Sequence, residues 1–86
     1  NYPNPFNPTT TIPLTVFKKE KNRVLIYDAN GKLVRQLYAG TLSQGRFEFI
    51  WNGINDENLK VTSGVYFCKI VQNGQFVSSR KMILLK

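Results

Sequence analysis

The sequence predicts an all-β fold, a small sandwich or barrel of six to seven short strands. Apolar and polar residues alternate with period two in several stretches, which suits a half-buried strand. Turn signals rich in Gly, Asn and Asp separate those stretches at intervals of roughly 8–12 residues. No window sustains the spacing of an amphipathic helix.

The elements follow in order. Residues 1–8 read NYPNPFNP. Proline fixes φ, removes a backbone donor and pushes the residue before it to extended geometry. Residues 1–9 are therefore a Pro-rich lead-in, with Tyr2 and Phe6 as apolar anchors for docking it. Asn7-Pro8-Thr9 is no glycosylation acceptor, because proline occupies its middle position. The sandwich domain itself is expected over residues 10–86.

In residues 10–17, Ile12, Leu14 and Val16 share one face, while Thr11, Pro13 and Thr15 share the other. Pro13 confines this strand to a sheet edge. Residues 23–27 form the second strand, with Val24 and Ile26 on one side. Asn30-Gly31 then supplies the positive φ of a hairpin turn. Residues 32–38 return as the third strand, and 40–45 are a loop. Residues 46–51 carry Phe47, Phe49 and Trp51 on one face and Glu48 on the other. The stretch 52–63 is polar and turn-rich. Gly64 opens a strand over 65–71, Asn73-Gly74 signals a second hairpin, and 76–85 form the last strand. The expected core comprises Ile12, Leu14, Val24, Ile26, Phe47, Phe49 and Trp51.

Composition narrows the function. A chain of 86 residues makes one domain with a thin core. It has no histidine and one cysteine, Cys68. That excludes Ser-His and Cys-His nucleophile pairs, His metal ligands and an intramolecular disulfide. Cys68 lies in an apolar run and reads as a small buried hydrophobe. No glycine-rich phosphate loop precedes a helix. Of the carboxylates, Asp28 and Asp56 fall in turns, where Asp bonds its own backbone. The loop at 55–58 offers oxygens for calcium but lacks the spacing and glycine of an EF-hand. The chain therefore reads as a non-enzyme with no catalytic, cofactor or metal site.

Twelve Lys and Arg against five Asp and Glu give a net charge of +7. Such a balance suits nucleic acid, anionic glycan or an anionic surface. The densest run, Lys18, Lys19, Lys21 and Arg23, is interrupted by Glu20 and reads as a solvated strand end and turn. Trp51 with Phe47 and Phe49 suits either a sugar-stacking stripe or a core wall, and a lone Trp favours the core. Tyr27, Tyr38, Tyr66 and Phe67 lie among basic residues, but nothing in the sequence gathers them on one groove, so no nucleic acid is expected. No stretch approaches the ~20 apolar residues of a membrane helix. No secretory signal opens the chain, which is expected to be part of something longer.

Several motifs together carry a resemblance. They are the opening octapeptide with Thr9 to Ile12, then Ile26-Tyr27-Asp28 with Gly31 and Val34. Gly45, Trp51 and Gly53 follow, then Ser63-Gly64-Val65-Tyr66-Phe67 and the closing RKMILLK at 80–86. Together they resemble type A sorting domains of the type IX secretion system. The Trp-Asx-Gly and Gly-Val-Tyr pieces also occur in the related immunoglobulin-like domain of flagellar hook-cap proteins. The resemblance implies an immunoglobulin-like antiparallel β-sandwich at the C-terminus of a larger exported protein. It implies an address label read by the outer-membrane translocon and removed by a sortase in many systems, with cargo attached N-terminally. It also implies passage through the periplasm to the cell surface or medium. The residues expected to be read are Lys81, Lys86, Gly64, Val65 and Tyr66. Asn52, the Glu57-Asn58 pair and Cys68 depart from the pattern and put the shape of the 52–63 loop in question. Two other roles fit the same residues: a binding module for carbohydrate or an anionic surface, and a structural spacer.

Overall fold

A computed structural model describes residues 9–85. The octapeptide with Tyr2 and Phe6, and Lys86 at the other end, lie outside the described residues. The chain forms six strands: β1 (Thr10–Val16), β2 (Glu20–Asp28), β3 (Leu33–Leu42), β4 (Gly45–Trp51), β5 (Gly64–Gln72) and β6 (Gln75–Leu84). β1 and β4 make a two-stranded sheet, and the other sheet runs β3-β2-β5-β6, with every pairing antiparallel. The fold is an all-β antiparallel sandwich.

Alternation places the core between these layers. Ile12, Leu14 and Val16 from β1 and Trp51 from β4 meet Val24, Ile26, Tyr66, Cys68, Ile70, Met82 and Leu84 from the larger sheet. Of the expected core, Ile12, Leu14, Val24, Ile26 and Trp51 are buried. Phe47 and Phe49 are half-buried and pack against the cluster from its side. The Phe49 ring lies 5.0 Å from that of Tyr38. A two-stranded layer is too narrow to cover a four-stranded one, so side chains of β4 at its margin keep one flank in water. Pro13 stands in β1, whose strand partner among the described residues is β4, and faces outward opposite Glu48.

β2 and β3 are longer than the sequence suggests. They pair out to Glu20 opposite Leu42, which leaves only Ser43 and Gln44 between β3 and β4. Asn22 precedes the strand expected at 23–27 and Gly40 opens the loop expected at 40–45, yet they are register partners inside the sheet. Asn22 is buried because its amide donates to the Glu20 carbonyl at 2.9 Å and its oxygen accepts from Gln72 Nε2 at 2.9 Å. A buried amide paired in this way avoids the desolvation cost that would expel it. The basic run is therefore divided: Lys18 and Lys19 stay in the bend, while Lys21 and Arg23 join β2. β3 accommodates its extra residues in two register shifts, and the surplus Val34 and Leu37 pack on the core. Such bulges re-aim side chains that strict alternation would turn outward.

The two hairpins differ. Between β5 and β6, Asn73 and Gly74 have φ of 51° and 81°, the two positive values of a type I′ turn. Between β2 and β3 only Gly31 is positive, at 82°. Asp28 Oδ1 organises that longer turn by accepting from the Asn30 and Lys32 amides, each at 2.9 Å.

Candidate functional site

The residues expected to be read by a secretion machine gather where β5 begins and β6 ends. Gly64 pairs with Leu84, Val65 with Ile83, Tyr66 with Met82 and Phe67 with Lys81. Gly64 and Val65 are half-buried, and Lys81 is exposed. Tyr66 corrects the expectation. It is a core residue, 5% exposed, and its hydroxyl donates to the Thr62 carbonyl at 2.7 Å. Its ring meets Trp51 edge-on at 5.1 Å. Ring and hydroxyl are both engaged inside, and only a small edge of the side chain lines the groove beside the 52–63 loop. The apolar surface at this end comes from Ile83 and Leu85, 61% and 71% exposed. Ile83 points outward because it alternates with buried Met82 and Leu84 along β6.

Trp51 is fully buried, and its indole N–H donates to the Ile54 carbonyl at 2.9 Å. That removes the sugar-stacking reading of this residue. The following Gly53 has φ of 76°, and a Cβ there would lie 3.2 Å from Leu84 Cδ2. The Trp-Asn-Gly segment thus seats the end of β6 on the core. The 52–63 loop then folds on itself through the Ile54–Lys60 bridge. Asn58 takes φ of 63°, so it fills the left-handed position that glycine usually supplies; Asn tolerates that region better than most residues. Its departure from the family pattern therefore leaves the turn intact.

The loop's oxygens serve the backbone. Asn55 Oδ1 accepts from the Glu57 and Leu59 amides at 2.9 and 3.0 Å. The Asp56 carboxylate accepts from the Gln36 amide at 3.0 Å, and the Asp56 amide donates to the Val34 carbonyl at 3.0 Å. Arg35 Nη1 donates to the Asn55 carbonyl, while its Nε is buried without a partner. A 380 Å³ groove lies beside this loop, lined by Asp28, Asp56, Glu57 and Tyr66 among others. Among the described residues no group of three His, Cys, Asp or Glu side chains is placed to hold a metal.

The two edges of the larger sheet are therefore unlike. β3 is closed by the loop through Asp56. Among the described residues, β6 makes no such backbone bond beyond its pairing with β5. Cys68 is buried, and desolvation pushes its thiol up to about 11, with Arg80 pulling weakly the other way. The thiolate that nucleophilic chemistry needs is thus suppressed.

The outer face of the larger sheet holds a feature the sequence did not disclose. Tyr27 and Phe67 are register partners there, and Tyr38 and Tyr66 pack on or within the core instead. The Lys69 ammonium lies 4.8 Å from the Tyr27 ring centroid and 5.6 Å from that of Phe76. A groove of 300 Å³ runs along Tyr27, Phe67, Lys69 and Ser79 to the turn at Ala29 and Gly31.

The FlgD Ig-like domain family matches residues 11–75. The chain belongs to that family. Its fold is also similar to the crystal structure of FlgD from P. aeruginosa, with a TM-score of 0.72 at 20% identity. That alignment covers 92% of this chain and 63% of the FlgD chain. No curated protein matches the sequence at a significant level. The Ig-like β-sandwich is thus the architecture of this chain.

Proposed function

We propose that this Ig-like domain is a non-catalytic C-terminal sorting module, which directs a larger exported protein through the type IX machinery of the outer membrane. The observation that carries the reading is the edge of β6, which among the described residues pairs with β5 alone and is flanked at its end by exposed Ile83 and Leu85. An unpaired edge accepts an added strand, with main-chain bonds giving affinity and alternate side chains giving selectivity. The motif resemblance at 1–8 and 80–86 supports the same role. The translocon is the proposed partner, a sortase acts afterwards, and the cargo is the preceding polypeptide. The route leads through the periplasm to the cell surface or medium. Lys81 and Lys86 are the proposed basic contacts.

The test fuses the domain behind a periplasmic reporter in a host that owns the type IX machinery. The reporter with the domain reaches the surface or medium, and the reporter without it stays in the periplasm. Equal export of both would overturn the reading. Lys81→Glu with Lys86→Glu is expected to reduce export while the domain stays folded, since a substitution at exposed Lys81 changes stability little. Membership of the FlgD Ig-like family favours a second reading, a structural module within a larger assembly. Export indifferent to the domain would leave that reading standing.

A further inference from the structure

The outer face of the β3-β2-β5-β6 sheet has an unusual inventory. Alternation and register place Lys21, Arg23, Leu25 and Tyr27 of β2 there. Val65, Phe67, Lys69 and Val71 of β5 join them, with Phe76, Ser79, Lys81 and Ile83 of β6. β3 contributes Leu33, Gln36, Ala39 and Thr41. Among the described residues this face carries four cations and three aromatic rings, and its one nearby carboxylate is Asp28, which lines the end of the groove beyond Tyr27 and accepts from the Asn30 and Lys32 amides.

The cations are also ordered. Arg23 pairs with Val71, Lys69 stands two residues along β5, and Lys81 pairs with Phe67, two residues further. Arg23, Lys69 and Lys81 thus form a diagonal row across β2, β5 and β6. Each step crosses one strand and two residues, about 8 Å from the usual sheet spacings. Tyr27 and Phe67 lie on one side of the row and Phe76 on the other.

The face has an apolar floor. Leu25 and Val71 are 1% and 5% exposed, although they point away from the core cluster. Their register neighbours, Lys69 and Gln36 for Leu25, Arg23 and Phe76 for Val71, are the side chains placed to cover them. Long basic stems lying on apolar surface in this way present an ammonium at a fixed place.

We propose that this face binds an acidic polysaccharide, whose carboxylate or sulfate groups meet the Arg23–Lys69–Lys81 row while sugar C–H faces pack against Phe67. Charge complementarity selects an anionic polymer, because the register partners of the row are Val71, Ser79 and Phe67, and Asp28 stands at the far end of the groove. The ring geometry selects sugar over nucleobase. Successive bases stack on successive free rings, but Lys69 already lies over Tyr27 and Phe76, which leaves Phe67 as a single platform. What remains is a fixed cation between apolar walls, the arrangement suited to a charged group on an otherwise C–H-rich ring. This inference stands apart from the export reading, since a sorting label needs no glycan.

The test titrates the chain with polygalacturonate, neutral dextran and oligothymidylate, followed by calorimetry and by amide shifts in NMR spectra. Polygalacturonate is expected to bind, to weaken as salt rises and to shift amides of β2, β5 and β6; dextran is not. Arg23→Gln with Lys81→Gln removes two exposed charges and is expected to lower affinity about tenfold, equivalent to about 1.4 kcal/mol. Lys18→Gln with Lys19→Gln removes the same charge from the bend and leaves affinity within about twofold, as distant exposed charges are screened. Phe67→Ala, at a half-buried residue, lowers affinity while the amide spectrum stays that of a folded domain. Equal losses in the two double variants would reduce the effect to bulk charge and overturn the proposal. Tighter binding of oligothymidylate, or no binding of polygalacturonate, would overturn it as well.

Discussion

At the residue scale, two buried side chains make measurable demands. Trp51 contributes its full surface and an indole hydrogen bond to Ile54. Trp51→Ala is expected to cost about 3–5 kcal/mol, close to the whole stability of a marginal domain. Urea melts should show a variant unfolded or nearly so, whereas a melt matching wild type would place Trp51 outside the core. Cys68 tests linkage. Its thiol titrates at about 11 in the fold against 9.0 ordinarily. Between those values the unfolded chain loses a proton that the folded chain keeps, so stability falls as pH rises. Below them the contribution is fully present. The stability advantage of wild type over Cys68→Ala should therefore shrink from pH 8 to pH 11. A pH-independent difference would refute the burial argument, and so would rapid labelling of the native thiol.

At the element scale, β6 and the 52–63 loop are joined through one contact. Gly53 holds a left-handed φ beneath Leu84, so Gly53→Ala combines backbone strain of about 1–2 kcal/mol with a steric clash. Asn58→Gly should be neutral or stabilising, because glycine suits the φ of 63° there, while Asn58→Ala should destabilise. Comparable melting points for Asn58→Gly and Asn58→Ala would mean the turn is not formed in solution. Neighbours in β6 should diverge sharply. Leu84→Ala is expected to cost about 2–5 kcal/mol, and Ile83→Lys at an exposed position to stay within about 0.5 kcal/mol. A one-residue slip of register would exchange the two results.

At the scale of the whole molecule, the charge of +7 acts against compactness. Raising ionic strength from about 0.01 M to about 0.15 M shortens the Debye length from about 30 to about 8 Å. The melting temperature should therefore rise with added sodium chloride; a fall over that range would show that attractive pairs outweigh the repulsion. Circular dichroism should show a β spectrum without the double minimum of a helix. The larger sheet buries one face on β1 and β4 and turns its cation row and β6 edge to solvent. These are the surfaces on which the two proposed activities can be separated, one along an edge and one across a face.

The sequence by itself determined the strands, the hairpin at Asn73-Gly74 and most of the inward-facing residues. Those follow from local rules, because side-chain direction has period two and turn φ is a property of one or two residues. Trp51 was legible as core for the same reason. The tertiary structure alone decided the matters that depend on strand neighbours. Asn22 and Gly40 lay outside the expected strands until Gln72 and the β2–β3 register brought them into the sheet. Tyr66 looked readable at the start of its strand until Trp51 and Thr62 engaged it from inside. Arg23, Lys69 and Lys81 are separated by 46 and 12 positions in the chain. Only pairing of β2, β5 and β6 brings them into one row, because sheet register joins residues that sequence distance keeps apart.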